Sequence, residues 1–210
     1  MRIASIQVGR PRDLAGSGER PFRTAFGKER ALFPVRATRD GLEGDAVADR
    51  RYHGGPDQAA LAYPLDHYAN WRAEGWTALA PGSFGENLSV EAVSESSVCI
   101  GDVWRCAGGA VFQVTCPRVP CVKIARFHGR PELLERVVAT GRTGWYLRVL
   151  EEGEAGEGSV DLLDRPHPGW TVVRAALVSK ENGTPEVAEL ARLVALGERW
   201  RAQLSRRVRP

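Results

Sequence analysis

The 210-residue sequence predicts a mostly β fold with some α structure: a barrel domain over residues 1–168 and a small α-helical domain over residues 169–210. Short apolar runs of period two recur along the first segment, and glycine-containing turns separate them, which is typical of a barrel. The boundary is predicted where two prolines and a glycine interrupt the strand pattern, in the run Asp164-Arg165-Pro166-His167-Pro168-Gly169.

Alternation of apolar and polar residues predicts the strands in chain order. The predicted strands are residues 2–8, 22–26, 32–38, 58–63, 97–106, 110–114, 142–150 and 158–163. The acidic, glycine-containing run 40–45 is predicted to be a turn. Calcium binding is the alternative there, but the spacing of the acids is not that of an EF-hand loop. Residues 153–158 are predicted to form a charged turn.

Helical spacing of apolar residues predicts the helices 65–74, 122–127 and 131–139. His67 lies off the apolar stripe of the first helix, so we expect it to be solvated. Beyond the boundary, segment 170–179 suits a strand or a helix, and Thr184 begins a helix. The tail is basic, with Arg199, Arg201, Arg206, Arg207 and Arg209. A solvated face is the ordinary meaning of such a run, and a docking arm for a partner or nucleic acid is the alternative.

Composition excludes several classes of protein. The net charge of +3 is spread along the chain, which does not favour nucleic-acid binding. No apolar run approaches the ~20 residues that span a bilayer, and the first residues lack the apolar region of a signal peptide. The four cysteines show no zinc-type spacing, and free thiols indicate a cytoplasmic protein.

The run Cys116-Pro117-Arg118-Val119-Pro120-Cys121-Val122-Lys123 follows a predicted strand and is the most unusual stretch. Its two prolines each lack a backbone N–H and fix φ, so they predict a stiff elbow that carries a thiol between basic residues. Nearby cations favour a thiolate, which suits a metal ligand or a nucleophile. The alternative is that Cys121 is a small buried apolar residue.

Two further stretches combine glycine with groups that bind anions. Arg51, His53 and Gly54 lie in one run, where arginine offers a fork for phosphate or carboxylate and glycine exposes backbone N–H groups. Arg142 and Thr143 precede Gly144 in a second run. Each stretch predicts an anion contact, and a solvated polar turn is the alternative for the first. Asn87 follows Gly85 in a loop that enters a strand and offers both donors and acceptors.

The order of these motifs resembles the MOSC family, named after the C-terminal domain of molybdenum-cofactor sulfurases. The motifs are GLEGD at 41–45, RYHGGPD at 51–57, FGENL at 84–88, GD at 101–102, PRxPCxK at 117–123 and GRTGW at 141–145. The similarity is greatest to stand-alone bacterial members that carry a helical appendage. It implies a closed antiparallel β-barrel with peripheral helices.

The resemblance also implies a function. Family members bind the molybdenum cofactor, a pterin dithiolene with a phosphate tail, and the matching cysteine, Cys121, is a molybdenum ligand or a sulfur carrier. We expect an oxidoreductase that reduces N-hydroxylated bases of the 6-hydroxylaminopurine type, with Cys121 as catalytic residue and metal ligand. The expected cofactor-binding residues are Arg51, His53, Gly54, Asn87, Arg118, Lys123, Arg142 and Thr143.

The partners follow from what the sequence lacks. No Rossmann glycine fingerprint, iron–sulfur cysteine run or haem motif is present, so a separate electron-donor protein is expected. The alternative function is a sulfur-carrier or cofactor-carrier module that uses a persulfide on Cys121. Cys116, five residues earlier, offers a resolving thiol for a redox role. The oligomeric state stays open, with a homodimer one arrangement.

Overall fold

The computed structural model describes residues 1–14 and 21–208; Arg209 of the predicted basic tail lies outside them. Seven strands close into a barrel in the order β13-β9-β10-β11-β7-β8-β1, and β1 pairs again with β13. These strands are β1 (Arg2–Val8), β7 (Ala60–Pro64), β8 (Leu88–Glu91), β9 (Val103–Cys106), β10 (Val111–Pro117), β11 (Trp145–Glu151) and β13 (Gly158–Asp164). The predicted closed barrel is therefore confirmed.

One pair of strands departs from the predicted antiparallel arrangement. β7 and β8 run parallel, with Ala62 opposite Leu88 and Pro64 opposite Val90. Parallel neighbours need a long crossover, and α1 (Asp66–Ala73) with the loop after it supplies this connection. The barrel is mixed, and its other neighbouring pairs are antiparallel.

Six short strands lie outside the barrel, and five of them form two small sheets. The six strands are β2 (Arg12–Leu14), β3 (Phe22–Thr24), β4 (Glu29–Arg30), β5 (Val35–Thr38), β6 (Gly41–Leu42) and β12 (Gly153–Ala155). β2 pairs with β3, β5 pairs with β6 and β12, and β4 extends the main sheet beside β1. The predicted turn at 153–158 is therefore wrong in its first half, because β12 finds a partner strand that is distant in sequence.

The helices begin and end where capping groups allow. α2 (Lys123–His128) ends at Gly129, and α3 (Pro131–Thr140) has proline in its first turn and ends at Gly141; both glycines are left-handed. α4 (Val172–Val178) resolves the ambiguous segment as helix, and α5 (Pro185–Arg192) starts at Thr184, whose hydroxyl accepts a bond from the Val187 amide. α6 (Glu198–Val208) completes the tail.

The C-terminal helices share an apolar core with the barrel. Trp170, Val187 and Leu204 belong to the same buried cluster as the barrel residues Ile3 and Trp145. The barrel loop and the first tail helix also exchange backbone bonds, from the Val172 amide to Val98 and from the Ile100 amide to Trp170, both at 2.8 Å. The predicted boundary at residue 168 therefore crosses a continuous core. Across residues 1–14 and 21–208, no helix combines the length and apolar character that crossing a bilayer requires.

Candidate functional site

A cavity of about 830 Å³ opens at one end of the barrel. Its walls come from the loop after β3, the β5–β6 turn, residues 45–59, the loop before β8, the elbow after β10 and the start of α6. This volume lies within the range of pockets that hold small molecules and cofactors. The cavity brings together six of the predicted site residues, which are His53, Gly54, Asn87, Arg118, Cys121 and Lys123.

The elbow places the thiol of Cys121 at the cavity wall. β10 continues through Pro117, which pairs with Trp145, and the chain then turns before α2 begins at Lys123. The Cys121 carbonyl accepts a bond from the Ile124 amide at 3.1 Å, so the first turn of the helix fixes its backbone. Cys121 is half-buried and lines the cavity, which makes its sulfur accessible to a bound ligand.

The other three thiols are buried in the protein. Cys99, Cys106 and Cys116 are at most 3 % exposed. Burial raises the pKa of Cys106 to about 11 and that of Cys116 to about 12. A resolving thiol has to reach its partner as an accessible thiolate, so the structure argues against that role for Cys116. Cys121 is the one cysteine of the described residues that lines the cavity.

Arg118 is a buried cation with unused hydrogen-bonding capacity. Its side chain is almost fully enclosed, and Nη2 donates to the Phe84 carbonyl at 3.0 Å. Nη1 is buried and has no hydrogen-bond partner among the described residues. Buried polar groups are ordinarily paired, because leaving one unpaired costs about 1–3 kcal/mol. Arg118 lines the cavity, so this unpaired donor is a candidate contact for an acceptor on a ligand.

The loop that holds Arg118 is itself fixed by a buried carboxylate. Glu86 accepts bonds from the Gly82 amide at 2.7 Å and the Phe84 amide at 3.2 Å. The Tyr68 hydroxyl also donates to it. The FGENL motif therefore places the Phe84 carbonyl against Arg118, and its glutamate acts from within the protein rather than on a ligand.

His53 lines the cavity and directly precedes a glycine loop. Its amide donates to the Asp49 carbonyl at 3.0 Å, and Gly54 and Gly55 follow with left-handed φ values of 79° and 84°. Burial and the positive charges of Lys123 and Arg118 lower the pKa of His53. The imidazole is therefore neutral at pH 7 and retains a nitrogen acceptor. A Cβ on Gly54 would lie 2.9 Å from Val47, so glycine is required there.

The GLEGD motif provides a buried ion pair at the cavity wall, which sequence reasoning missed. Asp45 Oδ2 lies 2.7 Å from Lys28 Nζ, and both side chains are less than 10 % exposed. Burial lowers the pKa of Lys28 despite its carboxylate partner. Asn87 donates to the same Oδ2 at 2.9 Å and accepts from the Leu61 amide at 3.1 Å. Asn87 lines the cavity, but its amide is already bonded within the protein.

Three predicted residues do not line the cavity. Arg51 is 81 % exposed on its side chain and binds Asp49, while the neighbouring Arg50 lines the cavity instead. Arg142 pairs with Glu74 at 2.7 Å and stacks on Trp71. Thr143 is buried, and its amide donates to Glu95 at 3.1 Å. The structure therefore gives each of these residues a protein partner in place of the predicted anion.

Glu95 explains the GRTGW motif and corrects the expectation for His67. One oxygen of Glu95 accepts from the Thr143 and Gly144 amides, and the other lies 2.8 Å from His67 Nε2. Burial opposes ionisation of Glu95, but its bonds from His67 and the Gly144 amide hold its pKa below the ordinary value. His67 is therefore a buried partner of this carboxylate and is not solvated, as its side chain is only 13 % exposed.

The electrostatic balance of the cavity is positive. Six cations line it, Lys28, Arg36, Arg50, Arg118, Lys123 and Arg199, against three acids, Asp40, Glu43 and Asp45. Lys28 is neutralised by Asp45, and Arg36 lies 3.3 Å from Glu152. Burial raises the pKa of Tyr146, another lining residue, to about 12, so its phenol is a neutral donor. The cavity therefore combines a thiol, a neutral imidazole and cations that have no ion-pair partner among the described residues. This donor set suits an anionic ligand with a metal that accepts thiolate ligation.

Comparison with known proteins defines the class. The family model described as MOSC domain matches residues 49–160, which include the glycine loop, the elbow and Cys121. The chain therefore belongs to the MOSC family. YflK of Bacillus subtilis is 38 % identical over 208 residues, which is 98 % of this chain and 93 % of that protein.

Further relatives agree with this assignment. YiiM of Escherichia coli is 38 % identical over 130 residues, 60 % of this chain and 57 % of that protein. A protein of Gibberella moniliformis described as a reductase is 35 % identical over 84 % of this chain, which spans only 32 % of that longer protein. The crystal structure of YiiM from Geobacillus stearothermophilus superposes with a TM-score of 0.81 at 29 % identity, covering 99 % of this chain and 98 % of that one.

Proposed function

We propose that this protein binds the molybdenum cofactor in the 830 Å³ cavity, with Cys121 as the protein ligand of the metal. The observation that carries the proposal is the half-buried thiol of Cys121 in the same wall as the buried, unpaired Nη1 of Arg118. A soft thiolate is a ligand suited to molybdenum, and a guanidinium with one unpaired donor suits an anionic group. The residues present therefore fit the cofactor.

The other cavity residues would contact different parts of the cofactor. Lys123 and Arg118 would neutralise the negative charge of the cofactor. The glycine loop at Gly54 and Gly55 would let a flat ring approach the backbone, since neither residue carries a side chain. Among the described residues, no cluster of three or more His, Cys, Asp or Glu side chains could hold a metal ion. A single protein ligand is compatible with a cofactor that brings its own dithiolene sulfurs.

We further propose that the protein reduces N-hydroxylated bases or related compounds. When bound, the cofactor supplies two-electron redox chemistry. The overall reaction breaks the N–O bond of a hydroxylamine, takes up two electrons and two protons, and releases an amine and water. The electrons come from a separate donor protein. The similarity to a relative described as a reductase supports this reaction class.

A reductase assay tests the reaction. We expect protein from a cofactor-competent host to reduce 6-hydroxylaminopurine with a chemical electron donor, and Cys121→Ser to lose at least about 100-fold in rate. A loss of that size is typical for removing a group that contacts the reacting centre. Cys116→Ala is the matched control, since its thiol is buried and does not line the cavity. Full activity in folded Cys121→Ser would contradict the proposal.

The partial exposure of Cys121 also favours a second candidate, a carrier of sulfur or of the cofactor. In this alternative, Cys121 carries one further sulfur atom as a persulfide, and the neighbouring Lys123 would stabilise the negative charge of the persulfide. Intact mass, together with molybdenum content, separates sulfur carriage from cofactor binding. One additional sulfur atom on Cys121 without bound molybdenum would support the sulfur carrier. Metal without added sulfur fits the reductase and the cofactor carrier, which the reductase assay separates.

A further inference from the structure

The tail helices contribute a cation to the cavity. Arg199, in the first turn of α6, is an exposed residue that lines the cavity. It lies outside the segment that matches the family model, which ends at residue 160. Within the parts of the chain that the structure describes, the Arg199 side chain has no hydrogen-bond or ion-pair partner. Its charge is therefore available to a ligand.

A single aspartate fixes the position of this arginine. The Glu198 amide donates to Asp57 Oδ2 at 2.6 Å, directly before Arg199. Asp57 Oδ1 lies 2.7 Å from Arg148 on β11, and the Gly197 amide donates to the Thr115 carbonyl at 3.1 Å. Asp57 also lies in the short helical turn that follows the glycine loop. The start of α6 is therefore attached to both the barrel wall and the ligand-binding loop.

Arg199 belongs electrostatically to the same group as Arg118 and Lys123. Burial is the largest cause of the lowered pKa of His53, and the positive charges of Lys123, Arg118 and Arg199 also lower it. All three cations line the same cavity, so their charges act on a common volume. Arg118 adds a buried, unpaired donor to that volume, so the group has both charge and unused hydrogen-bonding capacity.

We propose that Arg199 is a ligand-binding residue that the C-terminal helices add to the cavity, where it acts with Arg118 and Lys123 on a phosphate monoester. Arginine forks and ammonium groups match phosphate oxygens, and three cations offset its two negative charges. This inference deepens the proposed function because it concerns the same cavity. The phosphate has two possible sources, the tail of the cofactor or a nucleotide form of the substrate.

The test compares wild type, Arg199→Gln and Arg199→Lys, all purified from a cofactor-competent host. Arg192→Gln is the matched control, an exposed arginine on α5 that does not line the cavity. One arm measures pterin retained per chain by fluorescence. The other measures the dissociation constant for adenosine monophosphate by calorimetry. Thermal unfolding checks that each variant is folded, which we expect because the Arg199 side chain is exposed and makes no hydrogen bond or ion pair within the described chain.

We expect Arg199→Gln to lose about tenfold in one arm, the effect of one charge-assisted hydrogen bond. Arg199→Lys should lose less, and Arg192→Gln nothing. Loss of pterin identifies the cofactor phosphate, and loss of nucleotide affinity with normal pterin identifies the substrate phosphate. Wild-type values in both arms for Arg199→Gln would overturn the inference while leaving the proposed function intact.

The two measurements also show when the proposed function fails but the role of Arg199 holds. Wild-type protein without pterin would contradict the proposed function, and a nucleotide affinity that depends on Arg199 would still support the inference. Wild-type protein that binds neither pterin nor adenosine monophosphate would overturn both.

Discussion

At the scale of single residues, the cavity wall contains cations with partners and cations without them. Lys28 is neutralised by Asp45 inside the wall, so it contributes to the architecture. Nη2 of Arg118 donates to the Phe84 carbonyl, and Nη1 has no hydrogen-bond partner among the described residues. Since burying an unpaired charge is costly, the free protein carries this cost at the position where a ligand would remove it.

His128 makes the stability of the protein depend on pH. Its Nε2 lies 2.8 Å from the Ser83 carbonyl, and burial is the main cause that lowers its pKa. A base whose folded pKa lies below its unfolded value takes up protons on unfolding. The contribution of His128 to the free energy of unfolding is therefore complete above its unfolded pKa, about 6.5. This contribution is lost as the pH falls towards its folded pKa.

We expect the urea midpoint of the wild type to fall between pH 7.5 and pH 5.5, and His128→Gln to show a smaller fall. The glutamine amide can still donate to the Ser83 carbonyl but does not titrate. His53 also has a lowered pKa, so part of the dependence should remain. Equal pH dependence in wild type and variant would contradict this role for His128.

At the scale of elements, a motif that suggests a ligand contact instead fixes the path of the backbone. Gly144 has a left-handed φ of 76°, and its amide donates to Glu95 at 2.8 Å. Its carbonyl accepts from the Arg118 amide at 3.1 Å. The GRTGW motif thus joins the start of β11 to the elbow that carries Arg118, and acts on the cavity through the backbone.

Gly144→Ala should be strongly destabilising. An added Cβ would lie 2.3 Å from the Ala62 carbonyl oxygen, in addition to the strain of a left-handed alanine. We expect a loss of about 3–5 kcal/mol in the free energy of unfolding, from overpacking and backbone strain together. Urea denaturation measures it.

Gly183→Ala is the matched control, with a φ of 68° and nothing within 4 Å of the added Cβ. Its free energy of unfolding should fall only by the cost of placing alanine in a left-handed conformation, about 1–2 kcal/mol. Equal losses in the two variants would show that the close approach of Gly144 to β7 carries no cost.

The sequence predicts elements whose signals are local, and it misses those whose partners are distant. The proline elbow, the helix stop at Gly141 and the cap at Thr184 are readable because the responsible residues are neighbours. Thr143 resembled an anion contact because its partner, Glu95, lies 48 positions away in a loop without a motif. The strand at 153–155 was missed because its partner is β5.

The same reason explains the composition of the predicted site. The residues of the elbow and glycine loop were found because they lie in recognisable motifs. Lys28 and Arg199 were missed because only the fold brings their segments to the cavity. Arg50 was missed in favour of Arg51 because the sequence does not show which of two neighbours faces inward.

At the scale of the whole molecule, the barrel and the tail helices form one apolar core. Leu204 on α6 is 2 % exposed and belongs to the cluster that fills the barrel. The tail also supplies Arg199 to the cavity wall. A deletion of the tail would therefore expose the core and remove part of the site, so the role of the tail is better tested by single substitutions.

We expect the chain to unfold in one transition, with tryptophan fluorescence and far-ultraviolet circular dichroism coinciding. Leu204→Ala should lower the free energy of that transition by about 2–5 kcal/mol, the cost of a cavity in a core. Leu177→Ala on α4 is the control, because Leu177 is 58 % exposed and should change little. Two separate transitions, only one of them shifted by Leu204→Ala, would contradict a shared core.

Molybdenum content shows whether Cys121 ligates the metal in the cavity. Wild type, Cys121→Ala and the buried-thiol control Cys116→Ala are purified from a host shown to load another molybdenum protein, and molybdenum per chain is measured by elemental mass spectrometry. We expect near-stoichiometric metal in wild type and Cys116→Ala, and loss of the metal in folded Cys121→Ala. No molybdenum in the wild type, or equal molybdenum in Cys121→Ala, would contradict the account.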